Sequence, residues 1–254
     1  MKHFRIMTVA LLLMLVAQTF AQVDRSKKPA PGPAPKASFP EYYETTLDNG
    51  LKVFVVTNNK QPLVTFRLLV KSGSEFDGEN SGVASFTTSL LTSGTKTRNS
   101  LQFASEADFL GLSIGASAAD DQMSISGSGL KKHMNKLLEL MTDAMYNPSF
   151  PQEELEKEQK QALSGLKTVK KNPDEVMDRL SITVGYNGHP YSNFGIEEDV
   201  SAITRDDLVA FHKRYFIPNN ASLAIVGDVT PKDIIPVVKK FFGDWKRGEA
   251  PVRN

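Results

Sequence analysis

Two hydrophobic periods alternate along this chain, one of two residues and one of three to four. Tyr42 to Thr46 and Leu51 to Thr57 read as strands around Asp48-Asn49-Gly50, a sequence suited to a tight hairpin turn. Leu63 to Lys71 predicts a third strand, and Ser72 to Ser81 a polar loop. Gly82 to Thr95 predicts a short amphipathic helix. Val83, Phe86 and Leu90 form its apolar stripe, and Ser85, Thr88, Ser89 and Thr92 form a second face made only of small hydroxyls. A solvated helix face normally carries Lys and Glu, which are better helix formers than Ser and Thr. Ser100 is the expected cap of a helix running to Leu110 and stopped by Gly111.

Leu112 to Ala118 and Gln122 to Gly127 predict a second hairpin around Asp120-Asp121. Their Ser, Ala and Gly content requires either a closely packed neighbour or a cavity. Lys131 to Tyr146 is a helix with Met134, Leu137, Leu138, Met141 and Met145 on one face. Pro151 opens a helix expected to end at Leu166, and Pro173 opens another reaching about Val184. Thr204, with Asp207 three residues on and Ile203 set to meet Leu208, caps a helix whose inner face is Leu208, Phe211, His212 and Tyr215. Ala221 to Val226 is a late strand. Thr230 then caps a final helix with Pro231 in its first turn, Ile235, Val238, Phe241 and Phe242 inward, and Gly243 at its end.

The ends of the chain depart from this pattern. Met1 to Arg5 is basic, Ile6 to Phe20 is apolar, and Thr19-Phe20-Ala21 offers a cleavage site, so residues 1–21 read as a secretory signal peptide. Residues 22–39 are a Pro- and Lys-rich linker suited to polyproline II. The folded domain is expected at 40–246, with 247–254 a tail or the start of a linker. The reading is of an exported chain, periplasmic or secreted, with no membrane span once the signal is removed. The 254 residues include no Cys, which excludes disulfides and thiolate zinc sites; the formal net charge of +1 gives no sign of nucleic-acid binding.

Candidate chemistry is sparse. After the signal only His133, His189 and His212 remain, and none has a second His at metal-ligand spacing. His212 lies on an apolar helix face and reads as structural, His133 sits among lysines, and His189 precedes Pro in a loop. Ser-x-x-Lys occurs at Ser93–Lys96 and Ser164–Lys167 without the Lys-Thr-Gly that accompanies it in penicillin-recognising enzymes. Glu153, Glu154 and Glu156 suit a helix N-terminus electrostatically. Glu158 differs, because it shares a face with Leu155, Ala162 and Gly165 and is expected to be partly buried.

Three regions resemble the pitrilysin/insulinase family of zinc peptidases. They are Leu47 to Val53; Gly82 to Thr95, through Gly82, Ala84, Phe86, Leu91, Gly94 and Thr95; and a closing set of Gly195 to Glu197, Ile203-Thr204, Tyr215 to Asn220, Val226 to Asp228 and Phe242 to Trp245. The resemblance implies an α+β fold, a mostly antiparallel sheet with helices packed on one face. That family binds zinc through His-x-x-Glu-His on one helix and a Glu from a later helix. In this frame the two His positions hold Ser85 and Ser89, the general-base position holds Thr88, and the later ligand falls on Gly165, while Glu158 keeps an acidic position two turns earlier. The resemblance therefore implies no cofactor, no catalytic residue and no metal ligand of this chain's own. It suggests a non-catalytic half that partners a zinc-bearing peptidase subunit of the same family, or a second copy, with a peptide as possible substrate. Two alternatives stand beside it: a subunit required for proteolysis by that partner, and a free-standing peptide-binding module.

Overall fold

A computed structural model describes residues 40–252 together with Gly32. The expected signal peptide and all of the linker but Gly32 lie outside the described residues. Six strands form one sheet: β1 (Tyr43–Thr46), β2 (Lys52–Thr57), β3 (Leu63–Val70), β4 (Ser113–Ala118), β5 (Met123–Leu130) and β6 (Ala221–Gly227), in the order β1-β2-β6-β3-β5-β4. Every neighbouring pair is antiparallel except β2–β6, which is parallel, with Val53 opposite Leu223. Eight α-helices accompany them among the described residues: α1 (Val83–Ser89), α2 (Ser100–Phe109), α3 (Met134–Tyr146), α4 (Gln152–Val169), α5 (Pro173–Gly185), α6 (Glu197–Ala202), α7 (Arg205–Tyr215) and α8 (Pro231–Phe242).

The sheet has one covered face because its strands alternate. In β3, Val64, Phe66, Leu68 and Val70 are buried while Leu63, Thr65 and Arg67 are exposed. Across the sheet, Val53 and Val55 of β2 and Leu223 and Ile225 of β6 point into the same core. Of the second hairpin, only β5 has the closely packed neighbour expected of its small residues; on β4 none is buried and a Cβ at Gly115 would meet nothing within 4 Å. A Cβ at Gly127 would lie 2.3 Å from Met141 Sδ and 2.9 Å from Leu137 Cδ1, so α3 rests directly on the backbone of β5. The Asp48-Asn49-Gly50 turn does more than reverse the chain. Asn49 Nδ2 donates to the carbonyls of Phe242 (2.7 Å) and Trp245 (3.1 Å), tying the first hairpin to the end of α8.

Several boundaries differ from the sequence expectation, each for a local reason. The cap of α2 is Asn99 and not Ser100: its side chain accepts from Gln102 N at 2.8 Å and Gln102 Oε1 accepts from Asn99 N at 3.0 Å. Pro151 is the cap of α4 and not its first residue, and the helix runs on to Val169, because nothing obstructs it before Asn172-Pro173. The single turn α6 was not expected, being too short to show a period. In α8 the innermost residue is Ile234; Ile235 and Phe241 are only half-buried, since Ile234, Val238 and Phe242 take the central ridge. The caps expected at Thr204 and Thr230 are present, their side chains accepting from Asp207 N and Asp233 N.

Candidate functional site

The stretch from Gly82 to Thr95 is only partly helical. Helix α1 ends at Ser89, so Thr92 lies beyond it and does not extend the row of hydroxyls. Its first turn is held by Asp77, whose Oδ2 accepts from Gly82 N and Oδ1 from Ala84 N, both at 2.7 Å. Burial pushes the Asp77 carboxyl up to about 6, against the pull of those two backbone donors. Gly82 has φ 111°, a left-handed conformation that glycine adopts at little cost. Asp77 was not singled out in the sequence; its only signal was an acid six residues ahead of a helix that has no side-chain cap of its own.

The hydroxyls of α1 divide into two kinds. Ser85 and Ser89, four residues apart, are both exposed on one side of the helix. Thr88 is buried, and its Oγ1 donates back to the carbonyls of Ala84 (3.1 Å) and Ser85 (3.0 Å). The expectation of one continuous hydroxyl face is corrected accordingly: Thr88 turns its hydroxyl into its own helix. Its neighbour Thr87 is fully buried and has no hydrogen-bond partner for Oγ1.

Glu158 and Gly165 lie on α4. Glu158 is half-buried and Gly165 exposed, and a Cβ built at Gly165 would meet nothing within 4 Å. The two helices meet through Ile203. Gln159 Nε2 donates to Ile203 O at 3.0 Å and to Val200 O at 2.9 Å, while a Cβ at Gly82 would touch Ile203 Cδ1 at 3.5 Å. Ile203 thus stands between the head of α1, at Gly82, and α4, at Gln159.

Zinc does not fit these residues. Ser85 and Ser89 offer neutral hydroxyls, Thr88 has already committed its proton to backbone carbonyls, and Gly165 offers no donor; zinc sites are built from imidazole, thiolate and carboxylate. Among the described residues no group of three or more His, Asp or Glu is arranged to hold a metal ion. The three histidines are apart. His212 Nε2 lies 2.8 Å from Met145 O between the rings of Phe150 and Phe216, and burial pushes it down to about 4. His189 Nδ1 accepts from Tyr191 N at 3.2 Å in the loop after α5, and His133 is half-buried at the start of α3.

The loop that follows α1 is anchored by a charged cluster. Arg98 bonds Glu106 (3.1 Å), Glu139 (2.6 Å) and Asp143 (2.7 Å), and Lys136 pairs with Glu106 and Glu139 at 2.9 Å each. Asp143 is buried, which raises its carboxyl, but donors from Thr95, Thr97, Asn147 and Arg98 outweigh that and hold it below the usual range. This cluster fixes α2 and α3 around the loop, and its charges are spent on one another.

The model of the family described as Insulinase (Peptidase family M16) matches residues 52–196, and that of the Peptidase M16 inactive domain matches residues 202–254. The beta subunit of the mitochondrial-processing peptidase of Rattus norvegicus is 27% identical over 234 residues, covering 90% of this chain and 48% of the relative. An uncharacterized zinc protease of Rickettsia bellii is 26% identical over 207 residues, covering 80% and 50%. Among solved structures, a peptidase M16 inactive domain from Pseudomonas fluorescens superposes with a TM-score of 0.80 at 26% identity, over 84% of this chain and 53% of that one. A protease from Helicobacter pylori gives 0.77 at 25% identity, over 84% and 52%. The chain spans about half the length of the relatives it matches.

Proposed function

The chain belongs to the insulinase family, peptidase family M16, and from that premise we propose that it is a catalytically silent member that serves as the partner or substrate-binding half of a zinc-bearing peptidase. The observation that carries this is the chemistry of α1 and α4. The positions where the family's zinc helix would present His, Glu and His hold Ser85, Thr88 and Ser89, and the later ligand position holds Gly165. Loss of one ligand would leave a weakened site; loss of all of them with the base leaves no Lewis acid and no proton acceptor for attack on a peptide bond. The half-buried Glu158 is the one acid kept in this frame, and without a metal beside it its role is positional.

Two observations support a subunit role. The matched region is about half of each relative's length, and one relative carries the name of a subunit. The signal-like residues 1–21 support export to the periplasm or the exterior, where such a partner would be met. The test is a peptide-hydrolysis assay of the purified mature chain, alone and with a zinc-bearing family member from the same cell. The expected result is no chelator-sensitive cleavage by the chain alone and a changed rate or substrate range in the mixture. Chelator-sensitive turnover by the chain alone would overturn the proposal.

A further inference from the structure

Two Asn-Gly pairs occur in this chain, Asn49-Gly50 and Asn187-Gly188. Such a pair can react with itself. The glycine nitrogen attacks the asparagine Cγ, a C–N bond forms, and the side-chain nitrogen leaves as ammonia, giving a succinimide ring. Water then opens the ring at either carbonyl, to aspartate or to isoaspartate. The sum is amide plus water to acid plus ammonia, with no cofactor and no change of oxidation state. Glycine suits the second position because it has no Cβ to crowd the ring and its backbone turns freely. The reaction also needs a carboxamide free to swing onto the next nitrogen.

The fold treats the two pairs oppositely. Asn49 is buried. Its Nδ2 donates to Phe242 O at 2.7 Å and Trp245 O at 3.1 Å, its Oδ1 accepts from Leu51 N at 3.2 Å, and Gly50 N donates to Leu47 O at 2.8 Å. Both reacting groups are therefore committed elsewhere. Asn187 is exposed in the turn that follows α5. Among the described residues neither its carboxamide nor Gly188 N has a hydrogen-bond partner, and a Cβ at Gly188 would meet nothing within 4 Å. The turn is closed around the pair by His189 N donating to Tyr186 O at 2.8 Å.

We propose that Asn187-Gly188 is a self-modification site, at which the folded chain deamidates through a succinimide while Asn49-Gly50 is protected by its hydrogen bonds. This goes beyond the silent-peptidase reading and does not depend on it. Either product adds a negative charge. Isoaspartate also lengthens the backbone by one carbon, inside the turn that sets the His189 ring 6.0 Å from that of Tyr186 and 4.4 Å from that of Tyr191. The conversion thus changes both the charge and the shape of this aromatic loop.

The test is peptide mapping by mass spectrometry of the purified chain aged in mildly alkaline buffer, both native and in denaturant. Native Asn187 should convert within about tenfold of its rate in denaturant, since its turn is already open to water. Native Asn49 should convert about a hundredfold more slowly than in denaturant, because three buried hydrogen bonds must open first. The product at 187 should contain both aspartate and isoaspartate, the latter revealed by labelling with an isoaspartyl methyltransferase. Asn187→Gln, whose ring would be one atom larger, should stay unmodified there with an unchanged thermal midpoint. A native Asn187 still intact when the denatured chain has converted overturns the proposal. Asn49 converting as fast as Asn187 in the native chain overturns it too, as does aspartate without isoaspartate, the product of direct hydrolysis.

Discussion

Helices α3 and α5 have the same length, thirteen residues, and opposite fates. Both carry an apolar stripe at helical spacing. In α3, eight residues are buried, and the stripe meets a strand on which Gly127 lets it approach to contact distance. In α5 none is buried: its neighbours are α4, with which Val176 and Arg179 line a groove at Leu166 and Val169, and the turn at Pro190–Ser192. The period of a sequence therefore predicts that a helix has an apolar face, while the partner of that face is set by the rest of the fold.

The comparison is most easily broken by one substitution made twice. Leu138→Ala, in the fully buried row of α3, should cost about 3 kcal/mol by chemical denaturation. Leu180→Ala in α5 should change stability by less than about 0.5 kcal/mol. Similar costs at both sites would show that α5 is covered within the chain. Next in size is Arg98→Met, which leaves the buried Asp143 without its guanidinium and should cost about 3 kcal/mol near neutral pH. Asp143 titrates below its usual value in the folded chain, so its contribution is present above the unfolded pKa and is lost as pH falls through the folded one. The penalty of Arg98→Met should accordingly shrink in acid.

Two groups with opposite shifts sharpen the account. His212 is held neutral, lowered from 6.5 to about 4, so the stability it contributes is complete above about pH 6.5 and is lost as pH falls toward 4. Asp77 is raised from 3.8 to about 6, so its contribution is complete below about pH 4 and is lost as pH rises toward 6. Over the shared window the two offset each other, each by roughly 2–3 kcal/mol. Denaturation curves of His212→Gln should show stability falling as pH rises from 4 to 6, and Asp77→Asn should show the reverse. Slopes matching the parent would contradict both assignments. The smallest effect is a gain: Thr87→Val removes a buried hydroxyl that has no partner and should stabilise the chain by about 1 kcal/mol.

Local chemistry was legible from the residues, and distant pairing was not. The Asn-Gly turn, the caps at Thr204 and Thr230 and the Met-rich face of α3 each depend on neighbours within a few positions. The insertion of β6 between β2 and β3, parallel to one and antiparallel to the other, depends on a return of the chain more than 150 residues later. The reach of Asp77 to α1 and of Gln159 to Ile203 is likewise invisible to any period. At the candidate site the exposure of Ser85 and Ser89 followed from the helical period, while the burial of Thr88 was not legible, because a fraction of a turn decides whether a hydroxyl faces water or its own helix.

The central claim is that α1 and α4 together offer zinc no site, and native mass spectrometry of the purified chain in a fewfold excess of zinc tests it most directly. The account predicts the apo mass alone, with any adduct unchanged by Ser85→Ala and Ser89→Ala; a single stoichiometric zinc that is lost in either variant would contradict it.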